Sequence, residues 1–316
     1  MAEKVGLVGG GLIGRAWAIV FARAGCDVVL YDSVDGAAAA SLKAVDALLP
    51  DLEAQDLLAG GDAASVRGRM RAATGLADAV DGAVHVQEST PEILEIKREV
   101  WRGLDAAAGP DTVLASSTSG LLPSSFTEGL AGGRRCLVAH PINPPFVVPA
   151  VELVPAPWTD RAVMERTAAL MRRVGQAPIV MGKEIEGFVM NRLQGALLHE
   201  AFRLVADGVV GAEDVDIALK DGIGLRWSFM GPFETIDLNA PGGLADYAAR
   251  YEPLYAGIFP SQTRRVDWVG PLADSIQAER AKKVPRDRLG ERALWRDRRL
   301  MGLVAHKRAM DSKYGK

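Results

Sequence analysis

Gly9, Gly11 and Gly14 stand in the pattern G-x-G-x-x-G directly after Val5–Val8, a short apolar stretch that reads as a buried strand. In that context the first glycine makes a tight turn, the second lets backbone approach a pyrophosphate, and the third lets helix and strand pack closely. Ile13, Trp17, Val20 and Phe21 then recur at helical spacing, so the turn opens a helix. Its first N–H groups, around Leu12 and Ile13, and its positive dipole end face the phosphates. Val28–Tyr31 is the next strand, and Asp32 at its end, eighteen positions after Gly14, can accept both hydroxyls of an adenosine ribose. The same charge repels a 2′-phosphate, and Ser33 and Val34 supply no cation for one, which favours NAD over NADP. The competing reading is a glycine-rich turn in an unrelated α/β fold with a solvated aspartate.

Three further segments carry reactive or polar groups: Ser116-Ser117-Thr118-Ser119, His140-Pro141-Ile142-Asn143-Pro144 and Gly187-Phe188-Val189-Met190-Asn191-Arg192. Oxidising an alcohol by hydride transfer leaves a proton on oxygen, and an imidazole is suited to take it near neutral pH. A carboxylate on the other ring nitrogen fixes the tautomer, and serine and asparagine groups can hold the oxygen while its charge changes. Taken singly, each residue has a plainer role. His140 alone is a core histidine after a strand, Ser119 a polar turn residue, Asn191 a local helix cap and Glu152 a solvated strand residue. Glu92 and Lys97 alone are ordinary charges early in a helix.

Strand, glycine turn, helix, strand is a βαβ unit, whose crossover implies a parallel sheet. Further strands are expected at 83–87, 112–115, 137–139 and 151–154, with helices between several of them. The expected fold is α/β: a Rossmann-type dinucleotide-binding domain over 1–184, with a helical insertion at about 36–73. Val189, Leu193, Ala196, Leu197, Ala201 and Leu204 mark a long amphipathic helix, so a mainly α-helical domain for substrate and dimerisation is expected over 185–316. The tail around Leu294, Leu300 and Val304 reads as one more surface helix.

The 316 residues suffice for two cores, and 48% hydrophobic with 24% charged residues excludes disorder and fibrous repeats. A formal charge of -3 gives no pull toward nucleic acid or anionic membrane. Cys26 and Cys136 lack C-x-x-C spacing, and His85, His140, His199 and His306 have no metal-binding spacing, so no disulfide framework and no metal are expected. No signal peptide or membrane span is read, and a cytoplasmic location is expected.

Together the glycine, serine, histidine and asparagine motifs, with Gly231-Pro232-Phe233-Glu234, resemble the 3-hydroxyacyl-CoA dehydrogenase family from Val5 to about Asp237. The resemblance implies that His140 is the general base, Glu152 its carboxylate partner, and Ser119 and Asn191 partners of the reacting oxygen. It also implies that Glu92 and Lys97 lie on the nicotinamide side of NAD and that Ser119 and Asn143 bind NAD. The apolar helix faces of the second half exceed what one small bundle needs, so a homodimer is expected.

The chain departs from the CoA-using members of that family. Its insertion holds only Lys43, Arg67, Arg69 and Arg71 where a lysine-rich hairpin would dock CoA, and a small insertion at 222–228 introduces Arg226. A guanidinium there can clamp a free carboxylate through two parallel hydrogen bonds; the plainer role is a surface cation. With Ser117 in the serine motif, these details look most like the lambda-crystallin branch, whose enzymatic members are L-gulonate 3-dehydrogenases. The expected reaction is NAD-dependent oxidation of the 3-hydroxyl of a free L-3-hydroxy acid. The alternatives are a 3-hydroxyacyl-CoA dehydrogenase, a carnitine 3-dehydrogenase and a crystallin-like NADH-binding structural protein.

Overall fold

The computed structural model describes residues 2–315. The chain forms two compact units: residues up to Met190 together with Arg296 onward, and Asn191–Trp295.

The first unit starts with β1 (Lys4–Val8), α1 (Leu12–Arg23) and β2 (Asp27–Tyr31). There follow α2 (Ala37–Asp46), α3 (Leu49–Glu53), α4 (Ala63–Gly68) and β3 (Met70–Ala72). Next come α5 (Leu76–Val80), β4 (His85–Glu88), α6 (Leu94–Ala107), β5 (Val113–Ser116) and α7 (Pro123–Thr127). The unit continues with β6 (Cys136–Pro141), β7 (Ala150–Pro155), α8 (Arg161–Arg173) and β8 (Ala177–Val180). The strands form one sheet in the order β3-β2-β1-β4-β5-β6-β7-β8. β1 to β6 run parallel, β7 runs antiparallel to β6, and β8 runs parallel to β7.

Period-two alternation gives each face of the sheet its own core. Val5, Leu7, Val113, Ala115, Leu137 and Ala139 join Trp17, Ile19 and Phe21 of α1 on one side. Val8, Val86, Leu114 and Val138 join Trp101 and Leu104 of α6 on the other. Each fully buried large side chain contributes roughly 1.5–3 kcal/mol to holding the helices on the sheet.

Two strands escaped the sequence pattern. β3 closes the segment expected to be a helical insertion, and β8 forms the opposite edge. Both are short and lie at an edge, where only one neighbour and little alternation specify a strand. The carboxyl tail also differs from expectation, because from Arg296 onward it belongs to the first unit rather than the second. Met301 is 1% exposed in the α1-side core with Leu300 and Val304 packed beside it. Arg298 pairs with Asp51 at 2.8 Å, and Arg308 donates to the Asp56 carbonyl at 3.0 Å.

The second unit is helical: α9 (Met190–Ala206), which starts at the boundary, then α10 (Ala212–Ile217), α11 (Gly224–Trp227), α12 (Pro232–Asp237), α13 (Gly243–Gln262) and α14 (Pro271–Ala281). α15 (Leu289–Tyr314) begins in it and carries the chain back to the first. A π-helical stretch, Ala218–Ile223, precedes α11, and Gly222 departs from helical dihedrals there. No helix among the described residues is long and apolar enough to cross a membrane.

Candidate active site

In a parallel sheet the loops after adjacent strands emerge at one edge, where ligands of such folds bind. β1, β4, β5 and β6 are successive neighbours, so the turns at Gly9, Ser89, Ser117 and the end of the His140 strand share that edge.

Gly9 has φ +98°, and a Cβ built on it would meet the Ser89 carbonyl oxygen at 2.5 Å. A Cβ on Gly14 would lie 1.8 Å from the Gly9 carbonyl oxygen, so helix and turn close up only around glycine. Gly11 differs. It is the N-cap of α1, no side chain caps it, and a Cβ there would meet nothing within 4 Å. The first turn of α1 therefore keeps an open approach to its N–H groups, as a pyrophosphate requires. Asp32 accepts from the Gly10 N–H at 2.7 Å and the Val34 N–H at 2.9 Å, which fixes its carboxylate beside the turn. Asn143 adds a second sign of fit. Its Oδ1 is buried with no partner among the described residues, an open acceptor for an amide donor such as a nicotinamide carboxamide.

His140 and Glu152 are directly opposite in the β6–β7 pair, and His140 Nδ1 lies 2.7 Å from Glu152 Oε2. Both are buried, at 5% and 0% exposure. The other carboxylate oxygen, Oε1, accepts the N–H groups of Val189 at 2.6 Å and Met190 at 2.8 Å, so Glu152 also caps α9. Gly187 (φ +75°) and Phe188 (φ +50°) turn the chain so that two successive N–H groups converge on that oxygen. Burial pushes the Glu152 carboxyl up, but the His140 hydrogen bond and the Met190 and Val189 N–H groups outweigh it and hold the pKa below its ordinary value. An ionised Glu152 accepts, so Nδ1 donates and Nε2 is the nitrogen left to take a proton. Phe188 is fully buried, with its ring centroid 5.7 Å from that of His140. Sequence reasoning missed Phe188, although its place beside Gly187 in a glycine-turned segment was a signal.

Ser119 follows β5 in a turn organised by Glu92. The Glu92 Oε1 accepts the Ser119 N–H at 3.0 Å, the Gly120 N–H at 3.2 Å and the Thr118 hydroxyl. Glu92 thus lies beside the serine motif.

Lys97 is not the solvated helix-surface charge that it would be if read alone. It is 1% exposed and its ammonium is turned inward, to Glu88 Oε1 at 2.7 Å and the Thr90 carbonyl at 3.2 Å. Glu88 is fully buried and also accepts from the Thr90 N–H and hydroxyl, Trp101 Nε1 and Ser116 Oγ. The Glu88 carboxylate thereby ties the turn after β4 to α6 and to the end of β5. The sequence reading had no reason to single out Glu88, since the donors come from three separate segments.

Asn191 and Arg226 lie in the second unit. Asn191 is in the first turn of α9, directly after the Met190 whose N–H Glu152 accepts. Arg226 is exposed on α11, close enough to Tyr247 to act on its hydroxyl. The hydrogen bond with Tyr255, 2.8 Å between hydroxyl oxygens, raises the Tyr247 pKa, and Arg226 opposes the rise.

Two family models match. Residues 4–185 fit the 3-hydroxyacyl-CoA dehydrogenase NAD binding domain, and residues 187–268 fit the C-terminal domain of the same family. The chain is 42% identical over 312 residues to lambda-crystallin of Oryctolagus cuniculus, covering 98% of each chain. It is 38% identical over 247 residues to an L-carnitine dehydrogenase of a Pseudomonas species, covering 78% of this chain and 76% of the other. Among solved structures, the NAD⁺-dependent 5-formyl-3-hydroxy-2-methylpyridine 4-carboxylic acid 5-dehydrogenase superposes with a TM-score of 0.82 at 28% identity, covering 98% of this chain and 99% of the other.

Proposed function

The chain belongs to the 3-hydroxyacyl-CoA dehydrogenase family, NAD-dependent oxidoreductases that act on CH–OH groups, and from that premise we propose that its substrate is a free L-3-hydroxy acid of the gulonate type. One observation carries the choice of a free acid over a CoA ester. Arg67, Arg69 and Arg71 of the inserted segment are each paired, with Asp46 at 2.7 Å, Asp27 at 3.1 Å and Asp78 at 2.6 Å. Only Lys43 of its four cations has no carboxylate partner among the described residues, which leaves little charge for the phosphates of CoA. The names of the carnitine and pyridine-carboxylate dehydrogenases, which denote substrates with free carboxylates, support the same reading.

The hydride-accepting chemistry would be supplied by NAD held at the glycine turn. His140 Nε2 takes the hydroxyl proton, Glu152 stabilises the imidazolium through Nδ1–H, and Ser119 and Asn191 hold the reacting oxygen. Arg226 holds the substrate carboxylate. Gly9, Gly11, Gly14, Leu12, Ile13 and Asp32 hold the adenosine half of NAD, and Asn143 and Glu92 lie toward the nicotinamide half.

A second copy of the chain covers the second unit, making a homodimer. α13 buries none of its twenty residues, while Leu254, Tyr255, Ile258 and Phe259 are 41–63% exposed. Large apolar side chains left this exposed along one helix need a partner. Sedimentation as a monomer at micromolar concentration would count against the dimer. With two separate thiols, both buried, the protein is suited to the cytoplasm.

The deciding experiment is a panel of gulonate, carnitine, 3-hydroxybutyrate and 3-hydroxybutyryl-CoA, read as NADH absorbance. The highest kcat/KM is expected for a free acid, gulonate first; a preference for the CoA ester sinks the reading. Arg226→Ala should raise KM for the free acid with NAD binding unchanged, and an unchanged KM removes the carboxylate clamp. NADH binding with no turnover on any member would favour a crystallin-like binding protein.

A further inference from the structure

A chain of polar groups runs along one face of β4 from buried His85 toward the glycine turn, and its donors and acceptors can be assigned one by one. Gln87 Nε2 lies 3.1 Å from the Ala139 carbonyl oxygen, which can only accept, so the amide nitrogen faces that way and Gln87 Oε1 faces His85. His85 Nε2, 3.0 Å from Oε1, must therefore carry hydrogen. Burial, only partly opposed by the Gln87 bond, lowers the His85 pKa to about 4 and keeps the ring neutral.

The second hydrogen of Gln87 Nε2 goes to Ser117 Oγ at 2.7 Å, and Trp17 Nε1, which can only donate, reaches the same oxygen at 3.1 Å. A hydroxyl oxygen has two lone pairs, so Ser117 is full as an acceptor. Its single hydrogen then points to Ser89 Oγ at 2.9 Å. Ser89 accepts that bond and keeps its own hydrogen, for which there is no acceptor among the described residues.

Ser89 is half-exposed and lies against the nucleotide turn. Its N–H donates to the Val8 carbonyl at 2.7 Å, and its Cβ would be 3.8 Å from a Cβ built on Gly14. It also lies on the far side of β1 from Asp32, since β4 and β2 flank β1. A dinucleotide with its adenosine ribose at Asp32 has its other half on the Ser89 side. We propose that Ser89 donates its hydroxyl hydrogen to an oxygen of the nicotinamide half of NAD, phosphate or ribose, in a direction set by the His85–Gln87–Ser117 chain.

The inference rests on NAD use and not on the identity of the substrate, so it is tested by binding alone. Dissociation constants of NADH, ADP-ribose, ADP and AMP are measured by calorimetry for the native protein and Ser89→Ala. Loss of this hydrogen bond should weaken NADH and ADP-ribose about three- to tenfold if the acceptor is a ribose oxygen, and about ten- to a hundredfold if it is a charged phosphate oxygen, and leave AMP unchanged. ADP weakened equally assigns the acceptor to the pyrophosphate; ADP unchanged assigns it to the ribose. NADH affinity within twofold of native, or AMP weakened as much as NADH, overturns the proposal. Unchanged AMP binding also shows that the variant is folded.

Discussion

Replacing Glu152 by glutamine keeps the shape of the site and changes only which atoms can accept. Glu152 receives three hydrogens: Val189 and Met190 N–H on Oε1, and His140 Nδ1–H on Oε2. A glutamine has one acceptor oxygen and an NH₂ group. The two backbone donors claim the oxygen, the NH₂ then faces Nδ1, and the imidazole must move its hydrogen to Nε2, the nitrogen that has to accept the substrate proton. Restoring the active tautomer means turning the amide over and setting NH₂ against two N–H groups. The Val189 and Met190 N–H groups then lose their neutral acceptor, at about 1–3 kcal/mol each or about 2–6 kcal/mol together. The competent fraction therefore falls by a factor of about thirty to ten thousand, and kcat with it. The check is steady-state kcat on the best substrate of the panel, with the NADH dissociation constant and the melting temperature measured alongside. A variant that is folded, binds NADH normally and keeps kcat within about tenfold of native refutes the tautomer argument.

Lys97→Met leaves the Glu88 carboxylate buried without its cation and should cost about 3–5 kcal/mol in denaturant unfolding, much of it regained in Glu88→Gln/Lys97→Met; an unchanged midpoint for the single variant contradicts the buried pair. His85 gives a pH dependence. The folded ring resists protonation down to about 4 whereas the unfolded chain takes up the proton near 6.5, so this group's stabilisation is complete above 6.5 and is lost as pH falls toward 4. The loss is at most about 3 kcal/mol, and His85→Gln should flatten that part of the stability profile; identical profiles would argue against it. Gly11→Ala, which meets no protein atom, should weaken NADH binding without lowering the melting temperature, whereas Gly14→Ala, placed against the Gly9 carbonyl, should lower both. Equal behaviour of the two would show that Gly11 does not border the pyrophosphate.

Local order along the chain determined a good deal about this protein. Apolar runs ending in Gly9, in the serine motif and in the His140 segment marked parallel strands, and parallel strands bring their carboxyl ends to one edge whatever the rest of the fold does. The cofactor turn, His140 and Ser119 were legible for that reason. Tertiary pairing decided what those residues touch. The antiparallel register of β7 sets Glu152 opposite His140, and a turn with two positive-φ residues brings the N-terminus of α9 onto the same carboxylate. Lys97, read as a helix-surface charge near the cofactor, is turned inward because Glu88 is buried and no other cation among the described residues is bonded to it. The carboxyl tail closes on the first unit because Met301 finds its core and Arg298 finds Asp51, 247 residues away. Spacing along a strand or helix tells which face a side chain is on; only the packed chain tells which distant donor or acceptor waits there.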